Sequence, residues 1–211
     1  MTDASSALQT LERDLREIFG SRLQSLVRYS ARAQLVHALA VVDSLSAEDL
    51  RACAARVSSW HDEHLATPMV VPASELASSL DAFPFEWSAI IAEHVVIAGR
   101  NPFQGLRVEP GDLRWACEVQ ARSHLLHLRQ GYIEARGRDD ALSVLIVNSA
   151  PAWASLQENI ARLENKAAAT DEVTRLAGVK EISNDEAARI FRKYLEDVER
   201  LTAYVDTWSA K

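Results

Sequence analysis

Two short apolar segments near the N-terminus constrain the fold of this chain more than any other feature. Leu23–Tyr29 and Leu35–Val42 are rich in Leu and Val, and a short link that includes Ser and Gln joins them. Runs of this length and composition, next to turn-compatible residues, are typical of buried β-strands. We therefore predict two neighbouring strands, around which the rest of the N-terminal half is packed.

The charges of this stretch are as informative as its apolar residues. Between Glu17 and Asp43 the sequence contains no carboxylate at all. Hard cations such as Mg²⁺ bind through oxygen ligands, above all carboxylates. The predicted strand pair therefore offers none of the ligands that such a cation would need.

Helical patterns flank the predicted strands and fill the second half of the chain. Apolar residues recur at helical spacing from Ala4 to Phe19, and again from Asp112 onward. A further helix, predicted from Ser46 to His64, directs Leu50, Cys53 and Trp60 inward. The other tryptophans are expected to pack in the core or between domains, namely Trp87, Trp115, Trp153 and Trp208.

A Pro- and Gly-containing segment, Val108–Gly111, divides these two patterns. We therefore predict an α/β (or α+β) domain over residues 1–109 and an α-helical bundle over residues 110–211. The first domain should hold a small mixed β-sheet with flanking helices. In the second domain, Pro151 is expected to kink or break a long helix.

Bulk properties exclude several classes of function. The 211 residues carry a net charge of −7, which argues against nucleic acid as a partner because phosphate binding favours a basic surface. No apolar run is long enough to span a bilayer, so we expect a cytoplasmic protein without a membrane partner. Cys53 and Cys117 are expected to be buried free thiols. Since no phosphate loop or metal-binding cysteine pair is present, no cofactor is expected.

The sequence resembles the nucleotidyltransferase superfamily, specifically small bacterial proteins with a minimal palm domain followed by a helical domain. Four stretches carry the resemblance: LREIFGSRLQSLVRYS, HALAVVDSLSAEDL, FPFEWSAIIAEHVVIAGRNPF and LRWACEVQARSHLLHLRQGYIEARG. For active relatives, the resemblance implies a Gly-Ser turn after the first strand. It also implies two carboxylates on the second strand, which hold Mg²⁺ and thereby organise the nucleoside triphosphate for in-line attack.

This chain departs from that pattern at both motifs. The Gly-Ser position reads Tyr29-Ser30, and the Asp-x-Asp position falls within Leu35–Ala38, which reads Leu-Val-His-Ala. His37 is expected to be buried, and one imidazole does not replace two anions as a ligand for a hard cation. We therefore predict a degenerate nucleotidyltransferase-like protein that acts as a non-catalytic binding, scaffolding or regulatory module. Its expected partner is another protein or a second copy of the chain, with a nucleotide or other anion as a further candidate.

A stripe of arginines on the helix after Asp112 suggests where an anion would bind. The resemblance places this helix beside the palm domain, so the stripe could face the former nucleotide cleft. Alternatively, it could be a solvated face or form ion pairs with carboxylates. The candidate residues for an anion or ligand cleft are Ser30, Arg32, His37, Arg114, Arg122 and Arg129.

Two enzymatic alternatives stay open at this point. One is an active nucleotidyltransferase acting on a small molecule or a protein, with carboxylates recruited from Asp43, Glu86 or Glu93. The other is a HEPN-like ribonuclease of a toxin–antitoxin pair, since Arg122 and His127 match an Arg-x4-His motif. A five-residue offset turns about 140° around a helix, which argues against a shared face for that pair.

Overall fold

The computed structural model describes residues 4–29 and 35–208. The chain forms two compact units that divide between Val108 and Glu109. The division falls one residue before the end of the first predicted domain.

Within its described residues, the first unit contains five α-helices and four β-strands. In chain order they are α1 (Ala4–Phe19), β1 (Leu23–Tyr29), β2 (His37–Val42), α2 (Ala47–Ala54), α3 (Val57–Asp62), β3 (Met69–Pro72), α4 (Ala73–Leu76), α5 (Pro84–Ala92) and β4 (Val95–Gly99). The two strands that the apolar segments predicted are therefore present, and β2 begins two residues later than expected.

The strands form a mixed sheet in the order β3-β2-β1-β4. Strand β1 is antiparallel to both β2 and β4, whereas β2 and β3 are parallel. In the β1–β2 register, Tyr29 lies opposite His37 and Leu23 lies opposite Val42. The C-terminal end of β1 thus adjoins the N-terminal end of β2, and the predicted small mixed sheet is confirmed.

Other elements pack against both faces of the sheet. Side chains alternate between the two faces along each strand, so each strand contributes to both. The α1 face consists of Leu26, Ala38, Ala40 and Val42, which pack with residues of α1, α2 and α3. The α5 face consists of Val27, Leu39 and Val41, which pack with Leu76 of α4, with Trp87 and Ile90 of α5, and with Phe103. Two-sided burial explains why β2 is nearly continuous in apolar residues.

The helix predicted from Ser46 to His64 is interrupted in the structure. Ser46 begins α2 with a capping box, in which its hydroxyl accepts from the Asp49 N–H and the Asp49 carboxylate accepts from the Ser46 N–H. The break falls at Ala55 and Arg56. The guanidinium of Arg56 donates to Asp14 at 3.0 Å, a contact that the helical pattern alone does not reveal.

The second unit is a bundle of three long helices among its described residues, as predicted. They are α6 (Pro110–Ala135), α7 (Asp139–Leu163) and α8 (Asn184–Asp206). Of the kink or break predicted at Pro151, the break does not occur, since α7 continues through this residue to Leu163. Of the tryptophans, Trp153 is buried as expected, whereas the packing predicted for Trp115 is wrong because 66% of that residue is exposed. No helix among the described residues is long and apolar enough to cross a membrane.

Candidate functional site

The edge of the sheet at the start of β2 is where the family resemblance places the catalytic carboxylates. Here the rings of Tyr29 and His37 lie side by side, with centroids 5.6 Å apart. Val36 forms a parallel bridge with Leu65, and Ala38 is buried on the α1 face. His37 is half-buried, so the prediction of a fully buried imidazole is wrong.

These side chains do not fit a Mg²⁺ ion. Residues 35–38 contribute three apolar side chains and one imidazole, whereas Mg²⁺ demands a shell of oxygen ligands. In the part of the chain that the structure describes, no group of three or more His, Cys, Asp or Glu side chains could hold a metal ion. Two of the predicted cleft residues, Ser30 and Arg32, lie outside the described residues.

The carboxylates considered as substitutes lie at different places in the unit: Asp43 is far from the start of β2, whereas Glu93 comes two residues before β4, whose first residue pairs with Arg28 near the end of β1 that adjoins His37. Asp43 follows the last residue of β2, so roughly 20 Å of extended strand separates it from His37. Its carboxylate accepts a hydrogen bond from the amide of Gln24. Glu86 lies in the first turn of α5, and Glu93 follows its last residue. Asp43 and His37 are therefore at opposite ends of the same strand.

The predicted arginine stripe lies on α6, in the second unit, where carboxylates neutralise two of its members. Arg122 forms ion pairs with Glu118 at 3.3 Å and with Asp206 at 2.8 Å. Arg129 pairs with Glu199 at 2.7 Å. These pairs favour the alternative in which the stripe is a solvated, ion-paired helix surface.

The other predicted residues of α6, Arg114 and His127, are both exposed. The carboxylates that pair with Arg122 compete with a phosphate for its guanidinium, so the ribonuclease motif stays a prediction without added support.

A polar cavity of about 340 Å³ opens at the other end of the sheet, and we call it the Arg100 cavity. Its polar lining includes Gln24, Ser25, Arg100, Asn101 and Gln104. Arg100 donates to the Gln24 side chain at 3.3 Å, and the Ser25 hydroxyl donates to the Arg100 carbonyl at 2.7 Å. Gln24, Ser25 and Arg100 thus already form hydrogen bonds with one another.

A second cavity, of about 300 Å³, lies beside β3, α4 and α5, and we call it the Trp87 cavity. Its apolar lining includes Met69, Val71, Phe83, Trp87 and Ile90. Only 4% of Trp87 is exposed, and its buried indole N–H has no hydrogen-bond acceptor. The sequence predicted Trp87 as a packing residue, which is correct, but it gave no sign of the cavity or of the unpaired donor.

The bundle contains a buried polar chain that sequence reasoning also missed. The Tyr194 hydroxyl donates to Ser149 Oγ at 3.0 Å, so His124 Nε2, 2.6 Å from the Tyr194 oxygen, acts as the donor of that bond. Ser149 in turn donates to the carbonyl of Ile146. Burial lowers the pKa of His124 to about 4 and raises the pKa of Tyr194. The neutral imidazole of His124 and its hydrogen bond to Tyr194 are accounted for by a structural role in the bundle.

Comparisons with known proteins add a likeness of fold. No family model and no curated protein matches this sequence. Among solved structures, the chain is similar to spectinomycin adenyltransferase AAD(9) from Enterococcus faecialis with ATP and spectinomycin. The TM-score is 0.44 and the identity 8%, over 90% of this chain and 98% of that chain. At this degree of similarity the match says nothing about the family or the activity of this chain.

Proposed function

We propose that this chain is a non-catalytic binding or regulatory protein with a nucleotidyltransferase-like fold. One observation carries the proposal. The edge of the sheet where active relatives would hold Mg²⁺ presents Tyr29, Val36, His37 and Ala38, none of which is an oxygen-rich anionic ligand for such an ion.

The carboxylates packed near the sheet support the same proposal. Asp14 is 2% exposed and accepts hydrogen bonds from Trp60 and Arg56. Asp49 forms a bidentate pair with Arg22, which, together with the Ser46 hydrogen bonds, holds the pKa of Asp49 far below its usual value. Such bonds stabilise the fold, and they leave these carboxylates committed to structural partners.

A binding role requires an occupant, for which the sequence suggested a protein partner, a second copy of the chain or an anion. The ion pairs of Arg122 and Arg129 weaken the anion alternative for the helical stripe. The alternative of an active nucleotidyltransferase recruits Asp43, Glu86 or Glu93, and of these Asp43 already accepts from Gln24 at the far end of β2. We therefore retain binding as the function that the geometry supports best.

Paramagnetic relaxation by Mn²⁺ tests the observation on which the proposal rests. Mn²⁺ binds to the same oxygen-ligand sites as Mg²⁺ and broadens the NMR resonances of nearby nuclei. On addition of equimolar Mn²⁺ and ATP, we expect the amides of Tyr29 and His37 to broaden no more than those of Val42 and Asp43 at the other end of β2. Selective broadening at Tyr29 and His37 that EDTA reverses would overturn the proposal.

A further inference from the structure

Helix α6 exposes a row of large apolar side chains opposite its own buried face. The buried face is centred on His124, with Cys117, Ala121 and Leu128 beside it. Helical spacing places four apolar residues on the other side, with exposed fractions of 66%, 46%, 64% and 74%: Trp115, Val119, Leu126 and Ile133. We call this row the α6 stripe, and it extends over about 27 Å. A continuous exposed apolar surface is typical of an interaction site.

Two arginines complete the stripe. Arg122 follows Val119 by three residues, and Arg129 follows Leu126 by three, so the stripe has the alternating three- and four-residue spacing of a coiled-coil seam. Ion pairs with Asp206 at 2.8 Å and with Glu199 at 2.7 Å draw the two guanidinium groups toward α8. The methylene stems of the arginines therefore remain on the stripe as apolar surface.

Opposite charges mark the two ends of the stripe. Asp112 lies three residues before Trp115 in the first turn of α6, and Arg136 lies three residues after Ile133 at the end of the helix. Both residues thus continue the same spacing. In the part of the chain that the structure describes, neither Asp112 nor Arg136 forms an ion pair. The stripe therefore begins with an unpaired negative charge and ends with an unpaired positive charge.

A second copy of α6 complements these ends when the two helices run antiparallel. A two-fold axis beside His124 places Trp115 against the partner's Ile133. The same axis places Asp112 against the partner's Arg136. Since a two-fold interface repeats each contact, two apolar contacts and two ion pairs form at the ends of the stripe.

The middle of the stripe fits the same arrangement. Val119 lies against the partner's Arg129, and Leu126 lies against the partner's Arg122. Each arginine stem thus packs on an aliphatic side chain, while its guanidinium group keeps the carboxylates of its own chain. These pairings follow the rule that the two seam positions of a heptad alternate across an antiparallel pair of helices.

The charges exclude the parallel arrangement of the same two helices. Parallel pairing would set Asp112 against the partner's Asp112 and Arg136 against the partner's Arg136. It would also set Arg122 and Arg129 against their own copies. Like charges that face each other oppose association, so the charge pattern of α6 selects the antiparallel copy.

We propose that the α6 stripe binds the α6 stripe of a second copy of the chain, forming an antiparallel two-fold dimer. This inference rests on the proposed binding role and names its partner. A single pair of helices buries less surface than a standard protein interface. We therefore expect a dissociation constant in the micromolar range, about 1–100 μM.

Sedimentation equilibrium of the full chain tests the association itself. Between about 1 and about 300 μM protein, we expect the mass to rise from 23.4 kDa toward twice that value, as a monomer–dimer equilibrium. A mass that stays at 23.4 kDa throughout would overturn the proposal. So would a mass that rises beyond the dimer, because a two-fold contact closes on itself.

Two substitutions of Leu126 test the register. Leu126→Arg brings an arginine against the partner's Arg122 twice in each dimer, so it should raise the dissociation constant at least about tenfold. Leu126→Glu brings a carboxylate to the same place and should associate at least about tenfold more tightly than Leu126→Arg. Equal weakening by the two substitutions would overturn the antiparallel register.

Leu50→Arg is the matched control for Leu126→Arg. Leu50 is a leucine of α2 that is 53% exposed, and α2 belongs to the first unit. The same substitution there should leave the dissociation constant unchanged. An equal loss in the two variants would show that α6 is not the interface.

Reversing the charges at the ends of the stripe provides a rescue experiment. Asp112→Arg and Arg136→Asp should each raise the dissociation constant about three- to tenfold, and the double variant should recover most of the loss. The two residues lie about 36 Å apart along one helix, so recovery arises only between copies. Circular dichroism verifies that each variant keeps its helices. Additive losses in the double variant would overturn the proposal.

The Mn²⁺ experiment separates this inference from the proposed function. A chain that stays monomeric, with no Mn²⁺ effect at His37, would refute the dimer and leave the non-catalytic role in place. Selective broadening at His37 in a chain that dimerises through α6 would uphold the dimer and overturn the non-catalytic role.

Discussion

Two buried tryptophans on opposite faces of one sheet show how differently those faces are built. On the α1 face, Trp60 is fully buried, and its indole donates to Asp14, which also accepts from Arg56. On the α5 face, Trp87 is almost as deeply buried, but its indole has no acceptor and a cavity lies beside it.

The two faces therefore differ in what the buried indole contributes to stability. On the α1 face, the hydrogen bond from Trp60 to Asp14 and the close packing both stabilise the fold. On the α5 face, the unpaired N–H of Trp87 costs free energy, so that indole stabilises the fold through its packing alone.

The largest expected effect falls on the sheet that both faces share. Gly99 has a φ of +77°, and a Cβ there would lie 2.0 Å from the Gln24 carbonyl oxygen on the paired strand β1. Gly99→Ala should therefore separate β4 from β1 and lower the free energy of unfolding by at least about 3 kcal/mol. Urea unfolding monitored by circular dichroism measures this loss.

Gly105→Ala is the matched control for that experiment. Gly105 has a similar φ of +80°, but no atom lies within 4 Å of the added Cβ. Only the left-handed backbone is then strained, at about 1–2 kcal/mol. Equal losses in the two variants would show that the β1–β4 contact is not what requires glycine.

The next effect concerns Asp14, which accepts the hydrogen bond from the Trp60 indole on the α1 face. Asp14→Ala removes the acceptor of the Trp60 indole and a buried partner of Arg56, so we expect a loss of about 2–4 kcal/mol in the free energy of unfolding. Asp14→Asn keeps an oxygen acceptor and should lose less. A loss below about 1 kcal/mol for Asp14→Ala would remove the contrast between the two faces.

The bundle provides a third buried polar group, whose contribution depends on pH. The folded state lowers the pKa of His124 to about 4, chiefly through burial and secondarily through nearby His127. The unfolded chain, with an ordinary pKa of 6.5, thus binds the proton more tightly. The stabilising effect is complete above the unfolded value and is lost as pH falls toward the folded value. Between about pH 7.5 and about pH 5, it should decrease by about 2 kcal/mol.

Replacing the imidazole isolates this effect from other titrating groups. His124→Gln keeps an N–H donor for the Tyr194 hydroxyl and does not titrate, so its stability should vary less with pH than that of the unmodified chain. His127→Gln, at an exposed position of the same helix, should keep most of the dependence. An unchanged pH profile in His124→Gln would contradict the structural assignment of this residue.

The smallest expected effect on stability concerns Trp87, whose indole N–H has no acceptor. Trp87→Phe removes an N–H that has no acceptor, so the unliganded protein loses packing but no hydrogen bond. We expect a loss of less than about 1.5 kcal/mol, measured by urea unfolding. Trp60→Phe, which also leaves Asp14 without its indole donor, should lose clearly more. Equal losses would show that the two indoles do not differ in their contribution to folding.

Much of the fold follows from periodicity, because periodicity records which side chains are buried. The runs Leu23–Tyr29 and Leu35–Val42 predicted the central strands, and Cys53 and Trp60 were correctly directed inward. The same rule failed at Leu50, which is 53% exposed. Its neighbour Asp49 turns inward to pair with Arg22, a contact between elements that no helical pattern contains.

The Trp87 cavity was less predictable from the sequence than the fold, since it forms where several short elements meet. Apolar spacing identifies Trp60 and Trp87 equally well as core residues, but it does not reveal which indole finds an acceptor. That difference arises because Asp14 of α1 reaches Trp60, whereas Trp87 lies beside a cavity bordered by the four-residue helix α4. The sequence did reveal the absence of carboxylates between Glu17 and Asp43, which is a property of composition and needs no coordinates.

The central claim is that this protein binds without transferring nucleotides, and release of pyrophosphate tests it most directly. The purified chain would be incubated with Mg²⁺ and each of ATP, CTP, GTP and UTP. Because the start of β2 lacks ligands for Mg²⁺, we expect no pyrophosphate above the level without protein. Sustained pyrophosphate release that EDTA abolishes would contradict the account.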